Sequence, residues 1–97
     1  MRFEWDEAKR AANLTKHGID FVDAEEAFSG PMLIGPDTRE EYGEERRIGF
    51  GFIQGRLIAV VFTERKAGTI RIISARKANQ REKKNFHETL AHELGKN

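Results

Sequence analysis

The chain has 97 residues, 38% hydrophobic and 34% charged, with a formal net charge of +1, seven Phe, one Trp and no Cys. One domain with apolar residues enough for a modest core follows, the composition is not that of a disordered chain, and the missing thiols exclude disulfides and thiolate metal sites. The N-terminus is too polar for a signal peptide and the longest apolar run, Leu57–Phe62, is too short to span a membrane, so a cytoplasmic protein is expected.

Phe3 and Trp5 alternate with Arg2 and Glu4, the pattern of a short first strand. Asp6 is a good N-cap for a helix of roughly residues 7–17. Glu7 in its first turn and Lys16 and His17 in its last complement the helix dipole, and Gly18 suits the stop. Asp20 opens a second helix, with Phe21, Ala24, Ala27 and Phe28 on one stripe and Ser29-Gly30-Pro31 at its end. Met32–Gly35 fits a short strand, and Pro36–Glu45 reads as a polar, acidic loop.

Three longer strands follow. Ile48, Phe50 and Phe52 alternate with Arg47, Gly49 and Gly51; Gln54-Gly55 suits a two-residue hairpin turn; Leu57–Thr63 and Thr69–Ala75 are β-branched runs separated by a turn at Lys66-Ala67-Gly68. The last helix begins near Asn79, with Glu82 at capping-box spacing, carries Phe86, Leu90 and Leu94 on one face, and closes at Gly95. The order β-α-α-β-β-β-β-α predicts an α+β fold: an antiparallel sheet of about four to five strands, two N-terminal helices and one C-terminal helix. The hairpin groups Arg46, Ile48, Phe50 and Phe52 with Leu57, Ala59 and Val61 on one face and leaves Ile58, Val60 and Phe62 on the other. Both faces are apolar, so both require cover, by helices or by a partner protein.

The near-zero net charge hides a polarity. Residues 1–45 carry five Lys/Arg against twelve Asp/Glu, and residues 46–97 carry twelve against four. A positive half on a small domain points to a polyanion. The arginines stand at strand margins: Arg46 before one strand, Arg65 after the next, Arg71 within the last and Arg76 at its end. The guanidinium fork matches phosphate and stays charged. Thr69 to Arg76 spans about 23 Å at strand rise, so Arg65 and Arg76 contact successive parts of a strand and not one phosphate.

Other residues have chemistry to offer. His17 at a helix C-terminus suits proton transfer or simple capping. Glu64 beside Arg65 fits a carboxylate base or a solvated strand end. Lys9, Lys16, Arg71, Lys77 and Lys83 are candidate RNA contacts. His87 and His92 are five apart, about 140° around a helix, which rules out the i, i+4 zinc pair, and no metal or cofactor is expected.

Phe3-x-Trp5-Asp6-x-x-Lys9-x-x-x-Asn13-x-x-Lys16-His17-Gly18-Ile19-x-Phe21-x-x-Ala24 resembles the N-terminal signature of the BrnT family of bacterial toxins. So do Leu57–Arg65, Arg71–Ala78, Glu82 and Arg46, while the acidic loop 36–45 is the least family-like stretch. The resemblance implies a RelE-like fold and a ribonuclease toxin of a type II toxin–antitoxin module that halts translation without a metal. It further implies a hetero-oligomer with a BrnA-like ribbon-helix-helix antitoxin, and contact with operator DNA only through that partner. Members of the family often carry Tyr where this chain has Phe86.

Metal-free cleavage of RNA needs a proton acceptor, a proton donor and cations around the developing charge. Arg46, Arg65 and Arg76 are the candidate cations, with His17 and Glu64 as proton-transfer groups. A non-catalytic nucleic-acid-binding module, or a domain whose basic half docks an acidic protein, would show the same charge split.

Overall fold

The computed structural model describes residues 1–95. Its elements are β1 (Arg2–Glu4), α1 (Glu7–His17), a 3₁₀ turn (Phe21–Asp23), α2 (Ala24–Phe28), β2 (Leu33–Pro36), β3 (Arg47–Ile53), β4 (Arg56–Glu64), β5 (Thr69–Lys77) and α3 (Gln80–Leu94). The strands form one sheet in the order β1-β5-β4-β3-β2.

Local signals act where the sequence carries them. Asp6 accepts a hydrogen bond from the Lys9 amide, and Gly18 ends α1 at φ 71°. Gln54 and Gly55 both take positive φ, the geometry whose twist suits a two-residue hairpin. The Asn79 side chain and Glu82 close a complete capping box on α3. The second helix is shorter than its stripe suggests: Asp20 caps the 3₁₀ turn, and only five α-helical residues follow. Ser29-Gly30-Pro31 stops it there.

The sheet is mixed rather than wholly antiparallel. Strands β2 to β5 form an antiparallel meander, and β1 adds to β5 in parallel, Arg2 opposite Thr69 and Glu4 opposite Arg71. Strand β1 reaches β5 through both N-terminal helices and two hairpins, so no tight turn dictates an antiparallel pairing. Where β1 stops, Asn13 continues its work. Its carboxamide accepts from the Ala75 amide at 3.1 Å and donates to the Ala75 carbonyl at 2.8 Å, and it also donates to the Ile19 carbonyl at 2.9 Å.

Both sheet faces hold a core. Ile58, Val60, Phe62, Ile70, Ile72 and Ala75 pack beneath Ile19, Phe21, Ala24 and Ala27. Gly51 admits α2 to close range there, since a Cβ at that position would stand 2.8 Å from the Ala27 carbonyl oxygen. On the other face α3 sets Phe86 and Leu90 against Leu57, Phe50 and Phe52. That helix covers only part of its face, and the rest carries the charged groups described next.

Candidate functional site

Arg71 and Arg76 are five residues apart, an odd spacing that sends side chains to opposite faces of a regular strand. A register shift in the β4–β5 ladder changes this. Val61 pairs with Ser74 and Phe62 with Ile72, leaving Ile73 as the extra residue of a bulge. Arg71 then lies opposite Thr63 and Arg76 opposite Ala59, two positions on the same face of β4.

The two arginines are held by different carboxylates. Arg71 Nη1 donates to Glu4 Oε2 at 2.8 Å, and Arg65 Nε stands 3.8 Å from the same oxygen. Arg76 grips Glu82 through both terminal nitrogens, Nη1 to Oε1 at 2.8 Å and Nη2 to Oε2 at 2.9 Å. Arg65 and Arg76 therefore sit in separate clusters, in keeping with the strand arithmetic. The Arg76 fork holds the Glu82 carboxyl below the usual carboxylate range, helped by the Asn79 amide, and the same carboxylate raises the Arg76 guanidinium. Nη1 also donates to the Lys77 carbonyl at 3.4 Å, and a guanidinium fixed in this way is pre-aimed, with its Nε–H left for an incoming oxygen.

The acidic loop folds onto this face. Asp37, buried, is clasped by Arg39 with two 2.8 Å bonds, which hold its carboxyl below the ordinary range, and Tyr42 donates to it at 3.4 Å. Arg46 stacks on the Tyr42 ring 3.9 Å from the centroid and bonds Glu44 at 3.0 Å. Thr63 donates to the Glu45 carbonyl at 2.7 Å, pinning the end of the loop to the sheet. Arg39 lies near enough to act electrostatically on both Arg76 and Glu82. Sequence reasoning missed Arg39 and Tyr42; the one available signal was an arginine and the only tyrosine inside an otherwise acidic stretch.

The remaining candidates fall elsewhere. Glu64 pairs with Arg47 at 3.8 Å and lies opposite Ile70, on the face that carries the other core. Its alternation from Thr63 turns it away from Arg71 and Arg76. Lys9, Lys16 and His17 are on α1, packed along β5. His17 is half-buried, one turn beyond Asn13, without an ion pair among the described residues. Lys77 and Lys83 line a separate cavity with Arg56 and His87. Phe86 is a core residue, its ring edge-on to Phe52 at 5.4 Å. Among the described residues no three His, Asp or Glu side chains gather into a metal-holding set, and no helix is long and apolar enough to cross a membrane.

The family described as the ribonuclease toxin, BrnT, of type II toxin-antitoxin systems matches over residues 5–82. The structure is similar to the 1.1 Å crystal structure of the Brucella abortus ribonuclease toxin, BrnT. Sequence identity is 34% and the TM-score 0.66, over 82% of this chain and 99% of that one. No curated protein matches.

Proposed function

The chain belongs to the BrnT family of ribonuclease toxins of type II toxin–antitoxin systems, and from that premise we propose that it cleaves RNA at the Arg76 end of the sheet by a metal-independent route. The observation that carries this reading is the Arg76–Glu82 clasp with Arg39 beside it, a pair of guanidinium groups on an open sheet face.

In the proposed reaction the RNA 2′-oxygen attacks the adjacent phosphorus. The O2′–P bond forms and the P–O5′ bond breaks, giving a 2′,3′-cyclic phosphate and a free 5′-hydroxyl. Arg76 and Arg39 stabilise the charge that builds on the non-bridging oxygens. Glu82 is a positioning residue that fixes the Arg76 fork. Arg46, stacked on Tyr42, flanks the loop and contacts the substrate. Arg65 and Arg71, at the far cluster on Glu4, hold a neighbouring stretch of the strand. We assign proton transfer to His17, because the Asn13 tie at Ala75 brings the last turn of α1 alongside the end of β5 that bears Arg76.

Translation arrest follows from loss of the RNA. The chain is held inactive by a ribbon-helix-helix antitoxin of the BrnA kind, and the pair reaches operator DNA through that antitoxin. Both partners act in the cytoplasm.

The test is incubation of the purified chain with RNA in EDTA, with the product ends identified. Fragments ending in cyclic phosphate, lost in Arg76→Ala and reduced in Arg65→Ala, are expected. Binding without fragments, or cleavage abolished by EDTA, overturns the mechanism.

A further inference from the structure

Helix α3 lies over its sheet face along the Phe86–Leu90 stripe, with a cavity on each side. Toward β2 the cavity, about 300 Å³, is walled mainly by Leu33, Ile34, Ile48 and Phe50. Toward the β3–β4 hairpin the cavity, about 420 Å³, is of another kind. Arg56, Lys77, Lys83 and His87 line it, with Phe52 and Leu57 as its apolar wall and no carboxylate among its lining residues.

The arginines of the open face are already matched within the chain: Arg39 by Asp37, Arg46 by Glu44, Arg65 and Arg71 by Glu4, and Arg76 by Glu82. Arg56, Lys77 and Lys83 have no ion pair among the described residues. Three uncompensated cations bordering one concavity attract a polyanion, and an apolar wall beside them suits a base lying against a phosphate run. The cavity is separate from the proposed cleavage centre but borders it, since two of its lining residues, Lys77 and Lys83, adjoin Arg76 and Glu82 in the chain.

We infer that the cavity between α3 and the β3–β4 hairpin is a subsite for the backbone of single-stranded RNA, with Arg56, Lys77, Lys83 and His87 contacting its phosphates. The inference deepens the ribonuclease reading and rests on it for the identity of the polyanion. Arg56 and His87 are thereby substrate-holding residues. They bind nucleotides adjoining the cleaved bond and take no part in the bond change.

The experiment measures binding of a short 2′-O-methyl single-stranded oligonucleotide, which lacks the attacking hydroxyl, to the full chain by fluorescence anisotropy across a salt series. The Arg56→Ala/Lys83→Ala double variant is expected to bind about ten-fold more weakly at low salt. Its slope of log affinity against log salt is expected to be shallower by about 1.4, the share of two phosphates on a single strand. Lys84→Ala serves as control: it removes one charge from the same helix but from a side chain directed at Glu88. Both cavity residues are exposed, so the melting temperature of the double variant stays near that of the parent.

Unchanged affinity and slope in the double variant, with the parent binding normally, overturn the subsite. So does equal binding of polyglutamate with the same loss in the variant, which assigns the cavity to an acidic protein segment. Cleavage of unmodified RNA by the parent is assayed in parallel. If it is absent while the probe responds as expected, the ribonuclease reading fails and the subsite stands.

Discussion

Arg76 and Glu82 are joined by two parallel hydrogen bonds of 2.8 and 2.9 Å, and Glu82 Oε1 also accepts the Asn79 amide at 2.9 Å to close the first turn of α3. One carboxylate thus aims a guanidinium and starts a helix. Removing it acts on activity and on stability together.

Glu82→Gln is expected to lower the cleavage rate about 10- to 100-fold, because a loosened Arg76 fork no longer meets the phosphate in register. Glu82→Ala adds loss of the cap, with a cost of about 1–2 kcal/mol read by chemical denaturation. The sign with pH follows from the lowered carboxyl values of Glu82, Asp20 and Asp37. Each is held by an arginine in the folded state, so its contribution is complete above the unfolded carboxylate value, near ~4, and is lost as pH falls through the lower folded value. Melting temperature should drop steeply in acid for the parent and less steeply for Glu82→Gln. Equal slopes would refute the clasp.

His17→Ala is expected to reduce the cleavage rate with substrate affinity little changed, read as a fall in kcat at constant KM. A variant with the parental rate removes His17 from the proposed chemistry while leaving the arginine centre intact.

Asn13→Ala should be among the most damaging single changes. The residue is buried, and its loss leaves the Ala75 amide and carbonyl without partners at the point where β1 ends. A cost of about 2–3 kcal/mol is expected, roughly 10–20 °C in melting temperature for a domain of this size.

Two glycines of one strand make a matched pair. Gly51→Ala meets the Ala27 backbone oxygen at 2.8 Å and must push α2 off the sheet, costing about 1–3 kcal/mol. Gly49→Ala meets the Met32 terminal methyl at 2.8 Å, a flexible end that swings aside, and the edge of the buried Phe62 ring at 3.3 Å, which must give slightly. The first variant should melt well below the parent and the second between the two.

What the sequence disclosed was local. Asp6, Gly18, Gln54-Gly55 and the Asn79–Glu82 box announce themselves through neighbours within a few residues, and each lies where its chemistry predicts. The hairpin register, Phe52 opposite Leu57, follows from the turn alone. Relations across the chain were hidden. Asn13 stood in the family signature as one more polar residue on a helix, and only the absence of a β1 partner beside Ala75 gives it a task. The bulge at Ile73 brings Arg71 and Arg76 to one face against their odd spacing, and no residue type there marks it. Glu82 reads as a cap, because its second bond runs to the preceding strand. The acidic stretch reads only as a polar loop, because the closure of Asp37, Arg39 and Tyr42 on one another depends on the sheet beneath them.

The first strand of this chain finds its neighbour only in the last one. While a ribosome is still making the polypeptide, β1 has nothing to lie beside, and the face that bears Arg71 and Arg76 does not yet exist. A chain stopped short of β5 would lack both the partner of β1 and the two arginines of that face.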